Sequence, residues 1–405
     1  MNGNTPALQR SNTPILITGL GLVTPLGWRI DEVWRRLCTG ETGVRSTIEL
    51  PRSGKVYPCA RVEGFTLDEV VRTPRVRRSS AISHFAVGAA GLALRDAQLQ
   101  PHPRVGVITA VTIGGVSYSR RFHQEFVEGG GANASPMLFP ETVFNAPASH
   151  IAAVFGLDQT NYTLIGDGCC AANALAMACD LIGAGILEQC LVVGCEELDW
   201  IILEGYRVFG LVSPEAPRPF ARPWRGFAGG EGAVAVLLES ADAAAARSAR
   251  VYARLRSWDR GFPFHHRRAI PGTIRKALAN AFAASAISWG DVGAVVSSAN
   301  GSFLDLAEAD ALAAELVSAA GPLVLVAPKT VMGEAHAASC LLQIAVGALA
   351  IRHGQVPPTV GTGNGVLDPS RLQTLAAPGP LAARNVLALC VGINEQVSVV
   401  VLSEA

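Results

Sequence analysis

Two adjacent cysteines near the middle of the chain are the residues whose type and setting could do chemistry. The stretch Asn161–Glu197 reads as a strand, a sharp turn, a helix and a second strand. Gly168, Cys169 and Cys170 lie where the turn meets the helix. Backbone N–H groups and the helix dipole lower the pKa of a thiol at a helix N-terminus, so Cys169 is a candidate nucleophile. The alternative is that both cysteines are small apolar residues packed at the helix start.

The composition is that of a large, well-buried α/β protein. The chain has 405 residues, of which 49% are hydrophobic and 16% charged. Lys+Arg and Asp+Glu balance at 33 each, so the charge predicts no nucleic-acid partner. The nine cysteines are scattered and mostly lie in apolar runs, which favours reduced thiols in the cytoplasm. We predict no metal site, no cofactor and no membrane span, and we expect the polar residues 1–12 to be a frayed tail rather than a signal peptide.

Strand and helix patterns follow one another twice along the chain. Residues 13–245 open with the apolar strand Ile15–Gly27 and residues 246–405 end with a strand at Val397–Leu402. Each part alternates β-branched runs with Ala-rich helical segments. The repeated order predicts an internally duplicated α/β fold of two similar halves with mixed, mostly parallel sheets.

Several blocks of sequence, taken in order, resemble the β-ketoacyl synthases of type II fatty acid and polyketide assembly. They are ITGLGLVTPLG, RVGVITAVTIGG, RPFARPWRGFAGGEGAVAVLLE and APKTVMGEAHAASC. The resemblance implies the thiolase fold, with duplicated αβαβα layered halves and mixed five-stranded sheets. In that family a cysteine at the elbow takes an acyl chain from a carrier protein, and two histidines stabilise the enolate formed on decarboxylation.

The family's three positions are held by other residues in this sequence. The spacing of the flanking glycines places Gly168 at the nucleophile position. Asn300 heads the stretch that matches the first histidine motif, and Glu334 stands where the second histidine follows the retained Lys329. In the C-terminal loop LCVGIN, Cys390 replaces the aromatic gate of the family. The resemblance thus implies that Lys329 and Cys390 line the substrate site.

The substitutions differ in what they cost chemically. Asn300 still donates hydrogen bonds. An ionised Glu334 would repel a developing enolate by about 4 kcal/mol at ~4 Å, although a protonated one could donate. His336 comes two residues later, which on a helix turns it about 200° away and favours a structural role. Asp305 and Glu308 are expected to hold the core loops together.

A ketosynthase fold without the Cys-His-His set resembles the chain-length-factor subunits of type II polyketide systems. This implies a heterodimer with an active ketosynthase, served by an acyl carrier protein, in which this subunit shapes the tunnel for the growing chain. We expect Met137, Leu138 and Phe139 to contribute to the tunnel wall. The alternative is an active acyltransferase or atypical condensing enzyme that uses Cys169 with Asn300 and Glu334. A homodimer with only a binding role is a third possibility.

Overall fold

A sheet of eleven strands dominates the computed structural model, which describes residues 13–102, 104–132, 134–263, 269–317, 321–362 and 365–405. The frayed tail expected at residues 1–12 lies outside these ranges. The strands are β1 Ile15–Val23, β2 Ser46–Leu50, β3 Lys55–Ala60, β4 Gly106–Val111, β5 Asn161–Ile165, β6 Gln189–Glu196, β7 Gly229–Gly230, β8 Gly232–Ser240, β9 Ala253–Gly261, β10 Val292–Val296, β11 Leu323–Val326, β12 Gln355–Val356, β13 Leu372–Gln373, β14 Gly379–Pro380, β15 Asn385–Val391 and β16 Val397–Ser403.

The helices cover both faces of this sheet or lie between its halves. They are α1 Ile30–Cys38, α2 Ala81–Asp96, α3 Val116–Gly129, α4 Ala146–Phe155, α5 Cys170–Gly183, α6 Trp200–Val208, α7 Ala241–Ala246, α8 Ile270–Ser285, α9 Leu304–Glu315, α10 Lys329–Met332 and α11 His336–His353. None of the helices in the described ranges is long and apolar enough to cross a membrane.

The sheet shows the duplication that the sequence predicted. Its order is β13-β11-β10-β15-β16-β9-β1-β8-β6-β4-β5. In the first half β4 runs parallel to β5 and β6, while β8 is antiparallel to β6 and β1. In the second half β10 runs parallel to β11 and β15, while β16 is antiparallel to β15 and β9. The first half therefore contributes five strands and the second half five of the same mixed plan, with the short strand β13 added at its edge, and the predicted thiolase-like fold class is confirmed. The division into domains at residue 245 stays a prediction.

Two helices of small residues fill the space between the halves. Helix α11 is buried from His336 to Ala350, and it packs with α5 in one apolar cluster that draws on both halves. Gly194 in strand β6 allows the close approach of α11, since a Cβ at this position would lie only 2.4 Å from the carbonyl oxygen of Ala337. The start of each helix, at Cys170 and His336, is thereby fixed in the middle of the molecule.

Helix α3 was not predicted from the sequence. None of its residues is buried in the single chain, although Tyr118, Phe122 and Phe126 recur every four residues, which is a helical spacing. Helix α4 begins at Ala146, and Phe139–Glu141 just before it forms a separate 3₁₀ turn. The missed helix α3 thus lies at the surface rather than in the core.

Candidate functional site

The elbow between β5 and α5 carries no side chain at its tip. Gly168 is buried there, just before α5 begins at Cys170. A Cβ built on Gly168 would lie 3.7 Å from the Cα atoms of Gly392 and His336, and 4.0 Å from His336 Nδ1. These are ordinary van der Waals distances. Packing therefore leaves room for a Cβ at this position, so the backbone approach does not require a glycine.

Both cysteines beside the tip are packed into the core. Cys169 is 1% exposed and Cys170 3% exposed. The Cys169 thiol lies 3.5 Å from Oε1 of Gln396, and the Cys170 thiol 3.8 Å from the carbonyl oxygen of Val111. Burial raises the pKa of both thiols well above the usual range, so desolvation outweighs the helix dipole. This geometry matches the packing alternative and makes Cys169 a poor nucleophile.

Three of the predicted site residues do meet in space. Glu334 Oε2 accepts a hydrogen bond from Nδ2 of Asn300 at 2.8 Å and from Nζ of Lys329 at 3.0 Å. Its other oxygen accepts from the backbone N–H of His336 at 2.9 Å. All four residues are buried. The carboxylate thus links the Asn300 loop, helix α10 and the start of α11.

Glu334 is held in its charged form. Burial acts to raise the pKa of Glu334, but the Lys329 ammonium and the donated hydrogen bonds outweigh it, so the pKa lies below its ordinary value. Burial acts to lower the pKa of Lys329, and Glu334 more than reverses that effect. Glu334 and Lys329 thus form a buried ion pair. Both Nζ of Lys329 and Nδ2 of Asn300 donate hydrogen bonds to the Glu334 carboxylate.

His336 faces the elbow, so the helical argument that turned it away was wrong. Helix α11 begins at His336, which has a φ of +43°, and Ala335, the one residue between Glu334 and His336, is not helical. The Nε2 atom of His336 lies 3.1 Å from the hydroxyl oxygen of Tyr206, while its Nδ1 atom would lie 4.0 Å from a Cβ on Gly168. Burial lowers the pKa of His336, which favours the neutral imidazole.

The acidic pair has the structural role that the sequence suggested. The Asp305 carboxylate accepts backbone hydrogen bonds from Phe220, Asn300 and Gly301 at 2.9–3.0 Å. Burial raises the pKa of Asp305 to about 6 and that of Glu308 to about 8. Asp305 therefore fixes the loop that presents Asn300.

Asp167 belongs to the elbow and was missed by the sequence analysis. Its carboxylate accepts hydrogen bonds from the backbone N–H groups of Gly168 at 2.7 Å and Asn394 at 2.9 Å. It lies so close to Gly392 that a Cβ there would be 2.0 Å from Oδ2. An acid between two glycines of a turn was the available signal, but two of its hydrogen-bond donors, Asn394 and Gln396, are more than 200 residues away.

One small cavity lies beside His336 and Glu334. This cavity, of about 10 Å³, is lined by residues that include Tyr206, Phe227, Glu334 and His336. A cavity of this size holds about one water molecule. This cavity cannot take an acyl chain. Among the residues that the structure describes, no group of three or more His, Cys, Asp or Glu side chains could hold a metal ion.

The predicted tunnel-wall residues lie mostly on the surface of the single chain. Met137 is 60% exposed and Phe139 55% exposed, whereas Leu138 is buried. The ring of Phe139 lies 5.6 Å from that of Phe122 on α3, and Phe126 on the same helix is 51% exposed. Phe122 and Phe126 were not singled out from the sequence. Half-buried Phe122 and exposed Phe126, Met137 and Phe139 make up an exposed apolar surface on α3 and the turn that follows it.

Cys390 lies inside β15 rather than in the loop that follows. It is 1% exposed, and its thiol lies 3.9 Å from the carbonyl oxygen of Cys340. The substrate-binding roles of Cys390 and Lys329 stay predictions.

Comparison with known proteins places this site in a family. The model of the β-ketoacyl synthase N-terminal domain matches residues 12–244, and that of the C-terminal domain matches residues 264–362. The chain belongs to the β-ketoacyl synthase family.

Its curated relatives come from both polyketide and fatty acid systems. The ketoacyl synthase beta subunit of the tetracenomycin polyketide synthase of Streptomyces glaucescens is 30% identical over 371 residues, which cover 86% of this chain and 88% of the relative. The 3-oxoacyl-[acyl-carrier-protein] synthase 2 of Coxiella burnetii is 25% identical over 370 residues, with the same shares covered.

Solved structures show the same fold. The ishigamide ketosynthase/chain length factor superposes with a TM-score of 0.89 at 21% identity and covers 97% of this chain and 99% of its own. A type II polyketide synthase acyl-carrier protein complex with its ketosynthase gives a TM-score of 0.85 at 22% identity, with the same coverage.

Proposed function

We propose that this chain is the chain-length-factor subunit of a type II polyketide or fatty acid ketosynthase and does not itself condense acyl groups. The observation that carries the proposal is the elbow: its tip, Gly168, has no side chain, while a charged Glu334 stands in for the distal histidine. An ionised carboxylate at about 4 Å repels an enolate by ~4 kcal/mol. Losing an oxyanion donor costs a further ~3–4 kcal/mol.

The alternative, an active acyltransferase or atypical condensing enzyme that uses Cys169, has no comparable support. It needs the Cys169 thiol as a thiolate directed toward Asn300 and Glu334. That thiol is 1% exposed and contacts Gln396, while Asn300 and Glu334 hydrogen-bond to each other. A buried thiol with a raised pKa is protonated at neutral pH and reacts slowly.

The partner is an active ketosynthase that docks on the edge of the first half-sheet. Strand β5 ends the sheet order, so one side of it has unpaired backbone groups. Tyr162 and Ile165 on this strand are 48% and 58% exposed. A cavity of about 530 Å³ beside them is also lined by Phe144, which is 40% exposed. An exposed apolar edge strand of this kind is normally covered by a partner.

The exposed apolar surface next to this edge forms part of the tunnel wall in the assembled pair. Met137 and Phe139 project from the loop before α4, and Phe122 and Phe126 project from α3. Bulky side chains limit the length of a growing chain by filling volume at the end of a tunnel. We infer that this subunit influences the length of the product through these four side chains rather than through the elbow.

Co-expression with a ketosynthase that carries the full Cys-His-His set tests the proposal. The two chains are expected to co-purify as a one-to-one complex that condenses malonyl units on an acyl carrier protein, while this chain alone condenses none. The nucleophile variant of the partner removes all product, whereas Cys169→Ser in this chain leaves it unchanged. Co-purification with a second copy of this chain instead, or product formation by this chain alone, would contradict the proposal.

A further inference from the structure

A buried carboxylate occupies a point at the elbow where backbone donors converge. Asp167 accepts hydrogen bonds from the N–H groups of Gly168 at 2.7 Å, Asn394 at 2.9 Å and Gln396 at 3.4 Å. The side chain is 5% exposed, so water competes little for these donors. Convergent backbone N–H groups are the arrangement with which proteins bind anions and stabilise oxyanions.

The surroundings of Asp167 are shaped to this carboxylate. Only glycine fits at position 392, because a Cβ there would lie 2.0 Å from Oδ2 of Asp167. Burial raises the pKa of Asp167, and the three backbone donors offset only part of that rise. The geometry nevertheless gives both carboxylate oxygens backbone N–H partners, and donated hydrogen bonds of this kind stabilise a carboxylate in its charged form.

The position of this carboxylate matters for any chemistry at the tip. A nucleophile at residue 168 would need a low thiol pKa and N–H donors for the oxygen that becomes negative during acyl transfer. The N–H of Gly168 already donates to Asp167. A negative charge beside the tip also raises the pKa of a neighbouring thiol and repels an oxyanion.

We propose that Asp167 is an internal anion that silences the elbow independently of the missing side chain at Gly168. It fills the donor site with the protein's own carboxylate and ties the elbow to the loop after β15. This inference rests on the proposed function, because it explains why the site stays silent. Asp167 acts through the backbone donors and is not a catalytic residue.

Three variants test the proposal on the purified full chain: Gly168→Cys, Gly168→Cys/Asp167→Ala and Gly168→Cys/Asp167→Asn. Each is incubated with acetyl-CoA and examined by intact mass and peptide mapping. In the step tested, the introduced thiol attacks the thioester carbonyl carbon, a new C–S bond forms as the bond to the CoA sulfur breaks, and the thiol proton ends on CoA. We expect acetylation to be at least tenfold faster in both double variants than in the single variant.

The pH profile of alkylation separates silencing from a merely structural role. Iodoacetamide reacts with the thiolate, so its rate against pH reports the pKa of the introduced thiol. We expect that pKa to fall by at least one unit in the Asp167→Asn variant, which keeps the size of the side chain. A structural role for Asp167 would lower the melting temperature and leave the profile unmoved.

Equal acetylation rates and equal pH profiles in the single and double variants would overturn the proposal. The Asp167→Asn variant decides the matter even if Asp167→Ala does not fold, because the amide preserves the packing against Gly392. Co-purification of the wild-type chain with a ketosynthase is scored separately. A failure there would count against the proposed function and not against the role of Asp167.

Discussion

Neutralising Glu334 measures how far the buried ion pair stabilises this protein. Nζ of Lys329 lies 3.0 Å from Oε2 of Glu334, and their side chains are 3% and 2% exposed. Glu334→Gln keeps the shape and an acceptor for Asn300, but it leaves the ammonium without an adjacent counter-charge. Removing one partner of a buried pair costs ~3–5 kcal/mol, because the other charge stays buried.

One nearby acid places the expected loss at the lower end of that range. Asp305, whose pKa is about 6, is ionised at pH 7.5 and interacts with the charge of Lys329, so part of the stabilisation of Lys329 survives. We expect Glu334→Gln to lower the free energy of unfolding by about 3 kcal/mol. The measurement is denaturant-induced unfolding at pH 7.5, followed by tryptophan fluorescence.

The double variant Lys329→Met/Glu334→Gln is the matched control. It removes both charges and replaces the ammonium with an apolar side chain of similar length, so most of the loss is expected to be recovered. A loss below about 1 kcal/mol in Glu334→Gln would refute the reasoning. The reasoning would also be refuted if the loss in the double variant equalled the sum of the losses in Glu334→Gln and Lys329→Met. That result would show no coupling between the two side chains.

Three further predictions follow from individual positions. Gly168→Cys is expected to leave the melting temperature nearly unchanged, because its Cβ meets no heavy atom closer than 3.7 Å, whereas Gly392→Ala forces a contact of 2.0 Å and is expected to destabilise strongly. The pKa of Glu308 is raised to about 8 from an ordinary 4.5, so the folded state keeps a proton that the unfolded state loses. Stability due to this group is therefore highest at low pH and falls as pH rises from about 5 to 8, and Glu308→Gln is expected to flatten that fall in thermal denaturation scans. Phe139→Asp is expected to reduce co-purification with the ketosynthase at least tenfold, because it places a charge in the proposed interface. The control Val317→Asp, at a 67% exposed site in the other half, is expected to leave co-purification intact. Equal recovery of the two variants would count against that interface.

The positions of the candidate site could be predicted from the sequence because glycines and a lysine at characteristic spacings mark them. Glycines around the elbow and the retained Lys329 set the register, and the structure brings Asn300, Glu334 and Lys329 into hydrogen-bond contact as that register requires. The duplicated sheet was predictable for the same reason, since buried strands and Ala-rich helices alternate in the same order twice.

What could not be predicted depends on burial and on contacts between distant segments. The lowered pKa of Glu334 depends on Lys329 and the surrounding donors, and the raised pKa of the Cys169 thiol depends on its burial. His336 was misplaced because the argument assumed a helix two residues before α11 begins. Asp167 carried no local pattern, since two of its donors come from a loop more than 200 residues later.

The location of the acyl group in the assembled pair tests the central claim most directly. The purified complex of this chain with an active ketosynthase is incubated with an acyl carrier protein thioester, and each subunit is weighed by intact mass spectrometry. A silent partner predicts one acyl adduct per complex, carried only by the ketosynthase. An adduct on this chain that disappears in Cys169→Ser would contradict the account and identify the chain as an acyltransferase in its own right.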